Sequence, residues 1–247
     1  MSEIGGEARL RGAMRGRRQD HLQAGLFGAG LAGCAALLIC CAALRPIGVS
    51  GWVLPVIGFV LLWLLIRGLM VRHYPLHRVG PANTLTMIRA AMILSLTSPL
   101  LSGMAAGWTV AAIASVALAL DGIDGWLARR SGLASSFGAR FDLEIDALLA
   151  LLLAVHGYLG SAAGAPVLAL GLVRYLFAAA SMVWPWLTAP LPQRWRRKAI
   201  CVAQLATLIL LQLPALPGPL ADGLSWAALG LVLWSFAADI LWLRARR

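Results

Sequence analysis

Five of the ten acidic residues of this chain fall within one stretch, Asp121 to Asp146. It reads D-G-I-D-G-W-L-A-R-R-S-G-L-A-S-S-F-G-A-R-F-D-L-E-I-D. Asp121 and Asp124 stand three residues apart, followed by Gly125, Ala128 and Arg129; after a gap of eight, Gly138, Asp142 and Asp146 recur at four-residue steps. Residues three and four apart share a helix face, so the stretch predicts two acidic stripes on two consecutive helices. Four carboxylates converging in a low-dielectric place cannot all stay ionised without cations. Hard divalent cations are the natural partners, and Mg²⁺ in particular is usually completed by substrate phosphates. Two such ions side by side form the clamp that phosphoryl chemistry uses. Gly125 and Gly138 remove side chains where a ligand must approach the backbone, and Arg129 offers a planar donor fork to a phosphate. A substrate with a diphosphate at the membrane surface and lipid tails in the bilayer suits such a site. Helix capping or edge salt bridges would account for Asp121 and Asp124 alone, but not for four acids in two matched stripes with two glycines and an arginine. Glu144 points off the second stripe and reads as a structural acid within reach of Arg140.

The elements that must position these residues are membrane helices. The chain has 247 residues, 60% hydrophobic and 13% charged, against roughly 25% charged in a soluble domain. Apolar runs of about 20 residues, each able to cross a ~30 Å hydrocarbon core, recur along it. The fold class is all-α and polytopic, with eight spans expected at about 24–44, 52–70, 84–101, 105–129, 140–159, 163–186, 197–213 and 223–243. Residues 1–23 read as an unstructured basic cytoplasmic tail. Residues 24–70 make two accessory transmembrane helices, 71–80 an interfacial segment, and 81–247 a six-helix core. The first apolar run ends in Arg45-Pro46 without a small-residue cleavage site, so it reads as a retained span. Pro81 and Asn83 punctuate the start of the third span, with Asn83 as its expected N-cap.

The net charge of +11 comes from 21 basic residues, all arginine but Lys198. Nineteen of them fall in the tail or at inner span ends, leaving Arg45 outside and Arg174 within a span. That asymmetry puts both termini and the acidic stretch on the cytoplasmic side. It also excludes nucleic-acid binding, which needs a basic face on a soluble domain. The four cysteines, Cys34, Cys40, Cys41 and Cys201, lie in apolar spans and read as packing residues. Trp52, Trp108, Trp184, Trp186, Trp195, Trp226 and Trp242 near span ends fit interfacial belts. His73 and His77 are four apart, but Pro75 between them and the lack of a third ligand argue against a metal site.

At the acidic stretch the sequence resembles the CDP-alcohol phosphotransferase (CDP-alcohol phosphatidyltransferase) family, whose motif is D-x2-D-G-x2-A-R-x8-9-G-x3-D-x3-D. Asp121, Asp124, Gly125, Ala128, Arg129, Gly138, Asp142 and Asp146 fill every fixed position. Pro81-Ala82-Asn83-Thr84-Leu85-Thr86 and Arg89 resemble the P-N-x-x-T-x-x-R entry to the family's first core helix. The resemblance implies a six-helix catalytic core from Pro81 onward, a homodimer, and two divalent cations, Mg²⁺ or Mn²⁺. It implies a CDP-diacylglycerol donor and a small alcohol acceptor that attacks the donor's β-phosphorus, so that CMP leaves. By position, Asp121, Asp124, Asp142 and Asp146 would hold the metals, and Asp146 would deprotonate the alcohol. Gly125, Ala128, Arg129 and Gly138 would shape the donor pocket. Arg174 resembles the arginine of an A-R-E segment in phosphatidylglycerophosphate-type synthases, with Val173 and Tyr175 in place of its neighbours. The run Arg194-Trp195-Arg196-Arg197-Lys198 resembles their basic G-K-x-K-T stretch without matching it. With Arg174, Arg197 and Lys198 as candidate acceptor residues, an anionic acceptor such as a glycerol phosphate or polyol phosphate is expected. A bacterial inner membrane with the site facing the cytoplasm is the expected location. Two other readings compete: a cation transporter using the buried carboxylates, which has no need for Arg129, and a catalytically silent family member acting as a scaffold.

Overall fold

The computed structural model describes residues 2–76, 78–103, 107–160, 164–189 and 195–246, without side chains for residues 2–19. Among the described residues every regular element is helical: α1 (Ser2–Leu44), α2 (Ser50–His73), α3 (Pro81–Ser95), α4 (Thr97–Leu101), α5 (Trp108–Ser131), α6 (Ser136–Gly160), α7 (Pro166–Val183), α8 (Trp195–Leu210) and α9 (Gly218–Arg244). A 3₁₀ turn, Pro185–Thr188, follows α7. Helices are the expected solution, because a spanning segment must satisfy its own backbone hydrogen bonds in lipid. The chain is an all-α polytopic membrane protein.

Among the described residues seven stretches are long and apolar enough to cross a membrane: Asp20–Leu44, α2, α3 with α4, α5, α6, α7 and α9. The segment expected to span at 197–213 instead forms α8, of 16 residues. At ~1.5 Å per residue it falls short of a ~30 Å core, and its first turn is spent on Arg196, Arg197 and Lys198. The N-terminal stretch expected to be unstructured continues α1 as helix from Ser2. The third span is interrupted at Leu96, between α3 and α4. Pro99 supplies no N–H and crowds the carbonyl of Ser95, while Ser95 and Thr97 turn their hydroxyls back onto Met92 O and Leu94 O at 2.6 and 2.7 Å, a pairing that bends helices. Helix α3 begins at Pro81 with Gly80 as its cap, so Asn83 is not the N-cap expected of it. Proline at the first helical position is pre-set for the helix, which frees the Asn83 side chain for other work.

The chain divides into two compact units: residues 1–98 with 119–145, and residues 99–118 with 146–247. The boundary passes through continuous helices, between Leu118 and Ala119 of α5 and between Ile145 and Asp146 of α6. In the first unit α1, α2 and α3 pack on one another. Lipid tails are as apolar as leucine, so association here rests on close van der Waals fit and interhelical hydrogen bonds. Gly30 of α1 supplies such a fit: a Cβ there would lie 2.5 Å from Nε1 of Trp63. That indole donates to the Leu26 carbonyl at 2.9 Å, and Leu26, Leu37, Phe59, Met70, Met87 and Ile93 fill the space between. Cys40 and Cys41 are buried free thiols beside Ser95 and Ser98, in keeping with a packing role.

In the second unit Gly171 of α7 lies against the α6 backbone, where a Cβ would meet Leu151 Cα at 3.0 Å and Ala154 Cβ at 2.6 Å. Gln204 of α8 donates to Leu170 O at 2.7 Å, and Gln212 donates to Leu153 O at 3.0 Å. Each glutamine reaches a mid-helix carbonyl on a neighbouring helix.

Candidate active site

Arg89 is eight residues into α3 and its side chain is fully buried. An intramembrane arginine must find acceptors or water, and this one finds three carboxylates. Its Nη1 donates to Asp124 Oδ2 at 2.7 Å and to Asp142 Oδ1 at 2.5 Å, which uses both hydrogens of that nitrogen. Asp121 Oδ1 lies 3.2 Å from the same atom. Helix α5 presents Asp121 and Asp124 one turn apart, and α6 presents Asp142. The two helices are joined by residues 132–135, where Gly132 adopts a left-handed φ of 64° and turns the chain. The two stripes expected from spacing therefore meet, and α3 supplies the charge between them.

The acids differ in access. Asp124 is deepest, its side chain 4% exposed, while Asp121 is 17% and Asp142 33% exposed. The Thr86 hydroxyl, one turn before Arg89, shares its proton between Ala82 O at 3.0 Å and Asp124 Oδ2 at 3.3 Å. One guanidinium against three carboxylates leaves the cluster negative, and like charges this close in a low-dielectric place are costly. The donor set fits a hard divalent cation. Asp121 and Asp142 each offer a carboxylate oxygen within 4.8 Å of the other. Asp146 follows Asp142 by one turn of α6. Glu144, between them in sequence, is exposed on another face of the helix.

The other expected donor-site residues lie on the same two helices. Gly125 and Ala128 are half-buried on α5, and Arg129 is exposed in its last turn. A Cβ at Gly125 would sit 3.5 Å from Arg129 Nη1, so the guanidinium folds back over the glycine one turn earlier. Gly138, in the first turn of α6, is fitted more tightly: a Cβ there would lie 2.6 Å from Asn83 Oδ1 and 3.3 Å from Ser135 Oγ. Asn83 is itself buried and donates from Nδ2 to the Tyr74 hydroxyl at 2.8 Å.

The expected acceptor residues belong to the second unit. Arg174 is half-buried in α7, and Lys198 is exposed in the first turn of α8. Arg197 is half-buried, its Nε 3.7 Å from Asp239 Oδ2. Arg196 donates to the other oxygen of Asp239 at 2.9 Å and lies over the Trp234 ring at 4.8 Å. Arg194 and His77, named in the readings of the basic loop and of the histidine pair, lie outside the described residues.

Spacing alone does not disclose two of these charged pairings. Arg89 was legible as part of a motif, but not as the centre of the acidic cluster; its signal was an arginine inside an apolar run. Asp239 carries the same kind of signal, an acid 21 residues into α9.

Comparison with known proteins adds one finding. A family model described as CDP-alcohol phosphatidyltransferase matches residues 79–234, well over half of the chain. The match takes in Arg89, all four aspartates, Gly125, Ala128, Arg129 and Gly138, and leaves out α1, α2 and Asp239. No curated protein and no solved structure compared with the chain gives a match.

Proposed function

The chain belongs to the CDP-alcohol phosphatidyltransferase family, and on that footing we propose that it is a phospholipid synthase: it transfers the phosphatidyl group of CDP-diacylglycerol to the hydroxyl of a small alcohol and releases CMP. The chain is a phosphotransferase enzyme embedded in a membrane. The observation that carries the finer reading is the convergence of Asp121, Asp124 and Asp142 on Arg89, with Asp146 on the next turn of α6.

Two divalent cations, Mg²⁺ or Mn²⁺, held by Asp121, Asp124, Asp142 and Asp146 would supply charge neutralisation for the donor's diphosphate. The remaining work falls to side chains. Asp146 takes the proton of the attacking hydroxyl as general base. The alcohol oxygen bonds to the β-phosphorus, the bond from that phosphorus to the bridging oxygen breaks, and the electron pair leaves with CMP. Arg89 fixes the carboxylates against their mutual repulsion, so that they are held in place before substrate arrives. Gly125, Ala128, Arg129 and Gly138 shape the pocket for the CDP end of the donor.

The acceptor is an anionic alcohol of the glycerol phosphate or polyol phosphate kind, held by Arg174, Arg197 and Lys198. The charge asymmetry of the loops supports a site open to the cytoplasm of a bacterial inner membrane, and the enzyme works as a homodimer. Residues 81–247 form its catalytic core, with the two helices of residues 24–70 as accessories. The test of the acceptor class is a panel of alcohols offered to reconstituted enzyme with CDP-diacylglycerol, reading CMP and product mass together. Turnover with a phosphorylated polyol supports the reading; turnover with choline and none with phosphorylated alcohols contradicts it.

A further inference from the structure

Tyr74 lies in the segment between α2 and α3, five residues before the family match begins. Its phenol is half-buried and ties together three pieces of chain. The oxygen accepts a hydrogen bond from Asn83 Nδ2 at 2.8 Å. The Gly80 backbone and the Ser135 hydroxyl lie beside it. Ser135 is the residue just before α6, and its Oγ accepts from the Gly138 N–H at 3.0 Å. The ring of Tyr74 meets that of Phe137 edge to face, 5.9 Å between centroids. The phenol thus stands between Asn83 at the start of α3 and the Ser135–Gly138 pair that opens α6.

This arrangement decides which way the Asn83 amide faces. With Nδ2 committed to Tyr74, Oδ1 turns toward Gly138, where a Cβ would lie only 2.6 Å away. Gly80 and Leu133 are in contact beside it, a Cβ at Gly80 lying 3.1 Å from Leu133 Cβ. The start of α3 and the turn before α6 are held together at Gly138, whose missing side chain leaves room for Asn83 Oδ1. Burial moves the Tyr74 phenol above its ordinary range, against the lowering effect of its hydrogen bonds to Gly80, Ser135 and Asn83, so it stays neutral and keeps its proton as a donor at physiological pH.

We infer that Tyr74 is a positioning residue for the donor pocket: acting through Asn83, it sets the wall that Gly138 presents to the CDP end of the substrate. The inference rests on the proposed phosphatidyl transfer and extends it to a residue outside the family match. It also gives the segment after the accessory helices a task. That segment carries the tyrosine that locks the entry of α3 to the start of α6.

The experiment uses full-length reconstituted protein and four forms: wild type, Tyr74→Phe, Asn83→Ala and the double variant. Tyr74→Phe keeps the ring against Phe137 and removes only the hydroxyl. Loss of a net hydrogen bond predicts a KM for CDP-diacylglycerol raised roughly three- to tenfold, with kcat and acceptor KM unchanged and a small fall in melting temperature. In the Asn83→Ala background the same change has no further effect, because the residue through which it acts is gone. A Tyr74→Phe enzyme with the donor KM of wild type overturns the inference, and that single variant decides it. Effects that multiply in the double variant overturn it too. If wild type turns over and Tyr74→Phe is indifferent, this inference fails alone. If wild type releases no CMP from CDP-diacylglycerol with any alcohol, the reading of the chain fails and this inference with it.

Discussion

Arg89 and Asp124, thirty-five residues apart in sequence, form an ion pair at 2.7 Å in which the arginine side chain is 0% and the aspartate 4% exposed. The pair joins α3 to α5, and the same nitrogen joins both to α6 through Asp142. A buried ion pair is weak evidence for stability as such, but removing one partner leaves a charge unpaired at a typical cost of about 3–5 kcal/mol. Arg89→Ala leaves three carboxylates facing one another. It is expected to lower the melting temperature in detergent and to abolish CMP release. Arg89→Lys keeps the charge without the fork, and restores stability more than activity. An Arg89→Ala protein that melts with wild type would remove Arg89 from the centre of the site.

Thr86 tests the support behind Asp124. Its hydroxyl is 3.3 Å from Asp124 Oδ2, and partners of this kind orient metal ligands, with losses of about 10–100-fold in metal affinity on mutation. Thr86→Val conserves shape and removes the hydroxyl. The Mg²⁺ concentration for half-maximal rate should rise about tenfold, while the rate at saturating Mg²⁺ stays near wild type. An unchanged Mg²⁺ titration would separate Thr86 from the metal site.

Gly138 tests the donor pocket from the opposite side to Tyr74. In Gly138→Ala the new methyl group meets Asn83 Oδ1 at 2.6 Å, so Asn83 must shift and its bond to Tyr74 must lengthen or break. The KM for CDP-diacylglycerol should rise at least tenfold, equivalent to about 1.4 kcal/mol, with a small change in melting temperature. A Gly138→Ala enzyme with normal donor KM would show that nothing binds against that glycine.

Asp239 tests the second unit. It is buried in α9 and pairs with Arg196 at 2.9 Å and Arg197 at 3.7 Å. Hydrogen bonds to charged groups contribute about 1.5–3 kcal/mol, so Asp239→Asn should destabilise the protein measurably. If Arg197 holds the acceptor, the acceptor KM rises while the donor KM does not. A donor-only effect would dissociate this pair from the acceptor.

Much of the molecule was legible in its sequence for reasons that can be named. Span positions follow from apolar run length, and the acidic stripes from three- and four-residue steps, because both are local properties. What escaped depends on partners distant in the chain. Nothing near Arg89 reveals that residues 35 and 53 positions later will converge on it. Asn83 has the type of an N-cap, but Pro81 fixed the helix start earlier and Tyr74 took the amide. The expected span at 197–213 contains a basic first turn, and as α8 it binds that turn to Asp239 rather than crossing at full length. The acidic stripes are therefore a product of local spacing. The ion pairs of Arg196 and Arg197 with Asp239 are pairings that spacing could not supply.

The most direct measurement is CMP release by purified, reconstituted protein given CDP-diacylglycerol and a panel of alcohols, with and without a chelator, for wild type and Asp146→Asn. The account predicts CMP and a matching phosphatidyl product with at least one alcohol. Activity should be lost with the chelator, restored by Mg²⁺ or Mn²⁺, and absent in Asp146→Asn. No CMP above background from wild type in Mg²⁺ with any alcohol would contradict phosphatidyl transfer, and full metal-dependent turnover by Asp146→Asn would contradict its role as the base.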